Sequence, residues 1–233
     1  DSSLPRIANM ISLRDKLAGG KKLILINTHF DHRGKVAREE AAKIIKGRVN
    51  GFTKGSWVVI TGDFNSGEGS KPYNASILNI SGTSYGALSP PAIRALNTGA
   101  CLGGFAHNTG EGGIAPSHIS GRGDLIWQVS TGYFGCRAKN GTFEPAMFKE
   151  KASLEQVKMI EIKLSQGAKP GHGGILPGPK VTEEIAKIRG VEVGMDCVSP
   201  SHHTEFSTPS GLLDFASNLR DLADGKPVGI KLC

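Results

Sequence analysis

Two groups of polar residues, each next to strand-like runs, contain side chains that can do chemistry. The first comprises "NTHFDH" (27–32) and "TGDFNS" (61–66), which hold aspartate, histidine and asparagine. The second comprises "NTGEGG" (108–113) and "EIKLSQGAKPG" (161–171), which hold glutamate, lysine and glutamine among glycines. Carboxylates and imidazoles transfer protons in catalysis. Ordinary interpretations stay open, because Asp and Asn after a strand usually form turns and charged loops are usually solvated.

The elements around the first group are predicted to be a strand, a helix and a second strand. The runs "KKLILIN" (21–27) and "SWVVITG" (56–62) are apolar and rich in β-branched residues. Between them, "GKVAREEAAKIIKGRVNG" (34–51) carries apolar residues near helical spacing. This order predicts a βαβ unit.

The second group lies in a longer alternation of strands and helices. We predict helices over 89–100, with Ser89 as N-cap, over 180–190, between Thr182 and Gly190, and over 208–223. Strands are predicted at 77–81, 157–165, 195–199 and 226–232. Such alternation is typical of an α/β fold with a parallel sheet, either open or closed into a barrel.

Composition places the chain among globular proteins. Of 233 residues, 38% are hydrophobic and 21% charged, and no apolar run reaches the ~18 residues of a membrane helix. The net charge of +7 is uneven, since residues 1–72 hold 13 Lys and Arg against 7 Asp and Glu. A basic first third suits a phosphate-bearing partner, although a solvated basic surface explains it equally.

The four cysteines are far apart and form no C-x-x-C pair. We therefore expect Cys101, Cys136, Cys197 and Cys233 to be buried, reduced thiols of a cytoplasmic protein, and we assign no metal site. The three histidines at 172, 202 and 203 are interpreted as ordinary surface or core residues rather than ligands.

Residues 4–73 resemble the endonuclease/exonuclease/phosphatase superfamily of metal-dependent phosphodiesterases. The resemblance rests on "INTHFDHRGKVAREEAAKII" followed by "VVITGDFNSGEGSKPY". It implies that Asp63 orients or deprotonates water, that Asn65 holds the phosphate, and that His29 and Asn27 lie beside it. A divalent metal such as Mg²⁺ and a nucleic acid substrate would belong to this alternative.

The phosphodiesterase motif set is incomplete in this chain. The family's metal-binding glutamate would lie upstream of the present residues, and its terminal S-D-H motif does not occur. The histidines of "PSHHTEF" (200–206) have different neighbours. We expect no Mg²⁺-dependent phosphodiester cleavage.

Residues 72–233 resemble the FMN-binding domain of the glutamate synthase family. The resemblance runs through "PYNASILNISGTSYGALSPPAIRALNTGACLGGFAHNTGEGG", "GDLIWQVSTGYFGCR", "VKMIEIKLSQGAKPGHGGILPGPKVTEEIAKIRG" and "VSPSHHTEFSTP". It implies reductive formation of L-glutamate from 2-oxoglutarate and ammonia, by way of 2-iminoglutarate, with a hydride from reduced FMN. The implied fold is a partial (β/α)8 (TIM) barrel over residues 74–233, with four or five of eight units, preceded by a partial α/β sandwich.

The same resemblance assigns roles to individual residues. It implies catalytic roles for Glu111, Lys163 and Gln166, and substrate-carboxylate binding by Lys169 and Arg189. The FMN-binding positions it implies are Ser84, Gly86, Ala87, Asn108 and Gly110. The family's iron–sulfur cluster cannot be assigned to cysteines present here, and the electron donor stays open.

The two resemblances predict two domains, residues 1–72 and 73–233, that meet at about residues 70–73. The favoured hypothesis is an FMN-dependent oxidoreductase of glutamate synthase type. The alternatives are a metal-dependent phosphodiesterase and a non-catalytic fused fragment.

Overall fold

The chain divides into two compact units, Asp1–Pro72 and Tyr73–Cys233. The computed structural model describes strand backbones at residues 8–14, 22–29 and 57–63, helical positions at 40, 43, 44 and 47, and residues 71–76, 78–164, 166 and 173–231. Within these residues, no helix is both long enough and apolar enough to cross a bilayer.

The first unit contains a three-stranded sheet in the order β1–β2–β3. Strand β1 is Ala8–Arg14, β2 is Lys22–His29 and β3 is Trp57–Asp63. Strand β2 pairs antiparallel with β1 and parallel with β3. The predicted strands at 21–27 and 56–62 and their parallel pairing are therefore confirmed, whereas β1 was not foreseen.

The second unit is built on a parallel sheet in the order β4–β5–β6–β9. Its strands are His107–Asn108 (β4), Leu125–Val129 (β5), Val157–Lys163 (β6) and Val228–Lys231 (β9). Helices connect them, as the predicted α/β alternation requires. In the run predicted as a strand at 77–81, the described residues 78–81 form a single parallel bridge, between Ile80 and His107.

Five α-helices lie in the second unit, among the residues that the structure describes. They are α1 (Pro90–Gly103), α2 (Pro116–Ser120), α3 (Pro145–Ala152), α4 (Glu183–Arg189) and α5 (Pro209–Leu222). Prolines in the first turn of α1 and α5 fix a helical φ where no intrahelical donor is needed. Thr182 caps α4 by accepting from the Ile185 amide, and Gly190 ends it in the left-handed region.

A two-stranded antiparallel pair departs from the predicted order. Strand β7 (Ile175–Leu176) pairs with β8 (Cys197–Val198), so the predicted strand at 195–199 is not part of the parallel sheet. The Ser199 amide also donates to the Gly174 carbonyl, 2.8 Å away, which extends this pairing. The parallel sheet consequently continues from β6 directly to β9.

The main core lies between one face of the parallel sheet and two helices. Trp127 of β5 is fully buried and stacks on Phe148 of α3, with 5.1 Å between ring centres. Phe215 and Leu219 of α5 cover the same face. Burying a large apolar side chain contributes about 1.5–3 kcal/mol, so this layer fixes the sheet on which the polar residues lie.

Candidate functional site

The carboxyl ends of the parallel strands lie along one edge of the sheet. Asn108 is the last residue of β4, and Lys163 is the last residue of β6. Because parallel strands end at a common edge, loops that follow them converge there, as in catalytic α/β proteins. The "NTGEGG" and "EIKLSQ" segments therefore start from the same edge.

Glu111, Lys163 and Gln166 form a closed triangle of hydrogen bonds. The Lys163 Nζ atom donates to Glu111 Oε2 at 3.2 Å and to Gln166 Oε1 at 2.8 Å. The Gln166 Nε2 atom donates to Glu111 Oε2 at 2.8 Å. The side chains of Lys163 and Glu111 are 10% and 13% exposed, so the ion pair is largely shielded from water. The three residues that the resemblance marks as catalytic lie together.

The loop that carries Glu111 is held by its backbone. The Glu111 amide donates to Ser84 Oγ at 3.1 Å, and the Gly110 amide donates to Asn108 Oδ1 at 2.9 Å. Gly110 has a φ of 65°, and a Cβ there would lie 2.6 Å from the Ser84 nitrogen. A glycine is therefore required for both the conformation and the close approach. Ser84, Asn108 and Gly110, all expected near the cofactor, converge on Glu111.

Glu161 is a polar centre that sequence reasoning did not assign. Its Oε1 atom accepts from Asn108 Nδ2 at 2.8 Å and from Gln128 Nε2 at 2.6 Å. Gln128 and Glu161 are register partners on β5 and β6. The signal available in the sequence is a carboxylate that follows the apolar pair "MI" and precedes Ile162 in the predicted strand "VKMIEIK".

Arg189 is 5% exposed and already has protein partners. Its Nη2 atom donates to the Tyr85 carbonyl at 2.7 Å, and its Nη1 atom lies 3.7 Å from Cys197 Sγ. Its guanidinium carbon is 5.1 Å from the centre of the Phe134 ring. The buried Nε atom has no hydrogen-bond partner among the described residues. A buried guanidinium N–H without an acceptor is energetically costly, which makes this atom a candidate donor to an anionic group.

Arg189 does not join the triangle directly but lies next to the same loop. A Cβ on Gly112 would be 3.0 Å from Arg189 Nη2, and one on Gly86 would be 3.4 Å from it. Ala87 is exposed beside Gly86. Lys169, the other expected substrate cation, lies outside the described residues, as does His172.

Two neighbouring histidines differ in environment. His202 is exposed and bonds to Ser201 Oγ at 3.0 Å. His203 is 4% exposed and lies between Tyr133 and the end of β6. Burial lowers the pKa of the His203 imidazole, because a charged ring would lose its hydration there.

In the first unit, the register pairs two of the phosphodiesterase-like residues. His29 ends β2 and is the Cα partner of Asp63, which ends β3. Asn27 lies two positions earlier on β2, opposite Thr61. Asn65 lies outside the described residues. The first unit therefore brings the backbone of His29 and Asp63 to one sheet edge.

The described cysteines differ in their exposure to solvent. Cys136 and Cys197 are buried as expected, but Cys101, near the end of α1, is exposed. Burial raises the pKa of the Cys136 thiol. In the described part of the chain, no cluster of three or more His, Cys, Asp or Glu side chains could hold a metal ion.

Comparison with known proteins gives one family match over most of the chain. A family model described as a conserved region in glutamate synthase matches residues 62–233. It begins one residue before Asp63, so it includes "GDFNSGEGSKPY" (62–73), the end of the second segment quoted above for the phosphodiesterase resemblance. The matches give no support to an endonuclease/exonuclease/phosphatase origin of residues 4–73.

Individual relatives agree with the family match. The glutamate synthase large subunit-like protein YerD of Bacillus subtilis is 47% identical over 161 residues, covering 69% of this chain and 30% of YerD. An archaeal-type glutamate synthase (NADPH) of Thermotoga sp. is 37% identical over 64% of this chain and 27% of its own length. The glutamate synthase (NADPH) large chain of Azospirillum brasilense is 36% identical over 65% of this chain and 10% of its own length.

The chain therefore spans about a third or less of the length of these relatives. The match nevertheless includes the Glu111 loop, the end of β6 and α4, which carry the triangle and Arg189. On this match, the chain belongs to the glutamate synthase family.

Proposed function

We propose that residues 73–233 form part of an FMN-dependent glutamate synthase site on a partial (β/α)8 barrel. The reaction would convert 2-oxoglutarate and ammonia, by way of 2-iminoglutarate, into L-glutamate. The observation that carries the proposal is the triangle of Glu111, Lys163 and Gln166. It lies at the edge where barrel enzymes place their catalytic groups.

The polar groups at this edge fit the ring of a flavin. Asn108, Gln128 and Lys163 supply amide and ammonium groups on adjacent parallel strands. The ring's oxygens and nitrogens need such donors and acceptors, and charge near them tunes the cofactor. Gly82 adds to the fit, because a Cβ there would lie 3.2 Å from Asn108 Oδ1 and 3.3 Å from Gln128 Nε2. We therefore assign FMN to this edge, with Ser84, Gly86, Ala87 and Gly110 in the loops beside it.

Arg189 and Lys169 are proposed to bind the carboxylates of 2-oxoglutarate. The support for Arg189 is the unpartnered, buried Nε atom, which a substrate carboxylate oxygen would satisfy. The Tyr85 carbonyl and the Phe134 ring hold the rest of the guanidinium in place, so the arginine is ordered before substrate arrives.

Glu111 is proposed to transfer protons on the substrate. Addition of ammonia to the C2 carbonyl releases protons from nitrogen, and loss of water from that carbon requires a proton on oxygen. Glu111 would accept the first and return the second. Lys163 and Gln166 orient the carboxylate by donating to its Oε2 atom, and we assign the transfer to Oε1, which lies beside Gly174. Bound reduced FMN would supply the hydride.

The proposal can be tested with the purified chain, FMN, 2-oxoglutarate and ammonium. We expect FMN to bind and, after anaerobic reduction, glutamate to form as flavin absorbance near about 450 nm returns. Glu111→Gln should lower the rate of glutamate formation about 10²–10⁴-fold while FMN still binds. Glu150→Gln is the control, since Glu150 is 72% exposed and pairs only with exposed Lys151 among described contacts. A chain that binds no FMN, or an unchanged rate in Glu111→Gln, would contradict the proposal.

A further inference from the structure

Tyr133 lies on the segment that follows β5 and has an unusual backbone conformation. Its φ is 48°, in the left-handed region that large side chains seldom adopt. Such a conformation is energetically unfavourable and persists only where surrounding contacts enforce it, often at functional sites. The side chain is fully buried, and its hydroxyl oxygen lies within hydrogen-bond distance of three groups.

These three contacts determine where the protons lie. The amides of Thr204 and Glu205 donate to the Tyr133 oxygen at 3.2 and 3.3 Å, and together they use its two lone pairs. The Tyr133 hydroxyl proton is then available for His203 Nδ1, 3.1 Å away. With Nδ1 as an acceptor, the neutral ring carries its proton on Nε2.

The protonated Nε2 atom of His203 has a partner at the candidate site. It lies 2.8 Å from the backbone carbonyl oxygen of Lys163 and donates to it. Lys163 is the last residue of β6, and its Nζ atom donates to both Glu111 and Gln166. A continuous series of hydrogen bonds thus connects Tyr133, through His203, to the residue that completes the triangle.

We propose that His203 is a positioning residue for Lys163. Tyr133 fixes the ring at Nδ1, and Nε2 donates to the Lys163 carbonyl. The ring thereby holds the carboxyl end of β6 so that the Lys163 ammonium reaches Glu111 and Gln166. The inference rests on the proposed function, because it takes the triangle to be part of the FMN site. It assigns His203 a role that its sequence context, as an ordinary buried histidine, does not suggest.

Packing alone is the competing explanation, and Phe206 offers a control for it. The Phe206 ring stacks on His203 with 4.7 Å between centres. Unlike the imidazole, a phenyl ring has no N–H group to donate to the Lys163 carbonyl. If His203 only fills space, Phe206→Leu and His203→Leu should weaken FMN binding alike. If His203 positions Lys163, only His203→Leu should do so.

The test compares FMN affinity in four variants of the full chain by flavin fluorescence. We expect His203→Leu to raise the FMN dissociation constant at least about tenfold, since the Lys163 carbonyl loses its donor. His203→Gln should restore most of the affinity, because its side-chain amide can donate to that carbonyl and accept from Tyr133. Phe206→Leu and His202→Leu should stay within about twofold of wild type. Equal losses in His203→Leu and Phe206→Leu, or no rescue by His203→Gln, would overturn the proposal.

A second measurement separates this proposal from the proposed function. In ¹⁵N NMR of the imidazoles, His203 should show the neutral form with its proton on Nε2, and Tyr133→Phe should shift its Nδ1 signal strongly. A proton on Nδ1 would refute the positioning scheme even in a chain that binds FMN. If the chain binds no FMN, the proposed function fails. An unchanged ¹³C signal of the Lys163 carbonyl in His203→Leu would independently refute the hydrogen bond to that carbonyl.

Discussion

The Nζ atom of Lys163 lies 3.2 Å from Oε2 of Glu111, although 52 positions of sequence separate the two residues. Their side chains are 10% and 13% exposed. A second Lys–Glu pair, Lys151 with Glu150, has the same 3.2 Å separation but exposures of 39% and 72%. The two pairs differ mainly in their access to water, so they separate the effect of desolvation from that of distance.

Removing Lys163 should destabilise the second unit, because Glu111 would stay shielded from water without its cation. We expect Lys163→Met to lower the free energy of unfolding by about 1–3 kcal/mol. The double variant Lys163→Met/Glu111→Gln should recover part of that loss, since the unpaired charge is gone. Lys151→Met should change stability by less than about 0.5 kcal/mol. Urea unfolding checks all three, and equal effects of the two lysine substitutions would contradict the argument.

Gly174 should matter for the site and little for the fold. A Cβ at this position would lie 2.5 Å from Glu111 Oε1 and 3.3 Å from Gln166 Nε2. These atoms lie at the ends of flexible side chains, which can move aside at low cost in stability. Once moved, however, the side chains no longer have the geometry of the triangle. We expect Gly174→Ala to cost less than about 1 kcal/mol in unfolding free energy and to lower glutamate formation at least about tenfold.

The matched control for Gly174 is Gly99, which lies inside α1. A Cβ there would meet nothing within 4 Å. Gly99→Ala should therefore stabilise the chain by about 0.5–1 kcal/mol through helix propensity and leave activity unchanged. If Gly174→Ala retained wild-type activity, the position of the Glu111 carboxylate would not be critical.

The sequence predicted those helices and strands whose ends are set by residues at the ends themselves. The helix expected over 180–190 begins after Thr182 and ends at Gly190, because the threonine hydroxyl caps it and the glycine adopts a left-handed φ. Strand β6, expected at 157–165, is found at Val157–Lys163. Strand β5 (Leu125–Val129) was missed, since a short apolar run has no period that distinguishes a strand from other buried segments.

The site depended on information that no local pattern contains. The resemblance to the glutamate synthase family singled out Glu111, Lys163 and Gln166, but their contact follows from the alignment of β4 and β6 in one sheet. Glu161 was not foreseen, because its amide partners Asn108 and Gln128 lie 53 and 33 positions away. Cross-strand partners of this kind are determined by the register in which two strands pair. The residues of one strand alone do not specify that register.

Gly110 should be among the least replaceable glycines of the site. Gly104 is its control, because it shares the backbone conformation of Gly110 but not its close neighbours. Both have left-handed φ values, 65° and 64°. A Cβ on Gly104 would meet nothing within 4 Å, whereas one on Gly110 would lie 2.6 Å from a backbone nitrogen that cannot easily move. Gly104→Ala should cost about 1 kcal/mol through backbone strain alone. Gly110→Ala should cost more and abolish FMN binding. Similar losses in both variants would indicate that conformation, not close approach, explains the glycine.

His107 and His118 form a buried pair that should make stability depend on pH. Both imidazoles are fully buried, with 5.4 Å between ring centres. Burial lowers the pKa of each to about 4, and for His118 the neighbouring His107 adds to the effect. The His118 Nδ1 atom accepts from the Ala115 amide at 3.0 Å, and His107 Nε2 lies 2.5 Å from Thr83 Oγ1. Because Nδ1 of His118 accepts a hydrogen bond, that ring is in its neutral form.

The direction of the pH effect follows from which state binds more protons. Between pH 6.5 and about 4, the unfolded chain protonates these rings while the folded chain does not. Their stabilising contribution is therefore complete above pH 6.5 and is lost as the pH falls towards 4. At pH 5 the expected loss is about 2 kcal/mol for each imidazole. Urea unfolding at pH 5 and pH 7.5 measures it.

Substitution of His118 by asparagine separates this pair from the other titrating groups. The Asn oxygen can still accept from the Ala115 amide, but it does not titrate. Between pH 7.5 and pH 5, the free energy of unfolding should therefore fall by about 2 kcal/mol less in His118→Asn than in wild type. His202→Asn is the control, because it removes an exposed imidazole. The pH dependence of its unfolding free energy should follow that of wild type. If His118→Asn also followed wild type, the imidazole at position 118 would already be protonated or solvated in the folded chain.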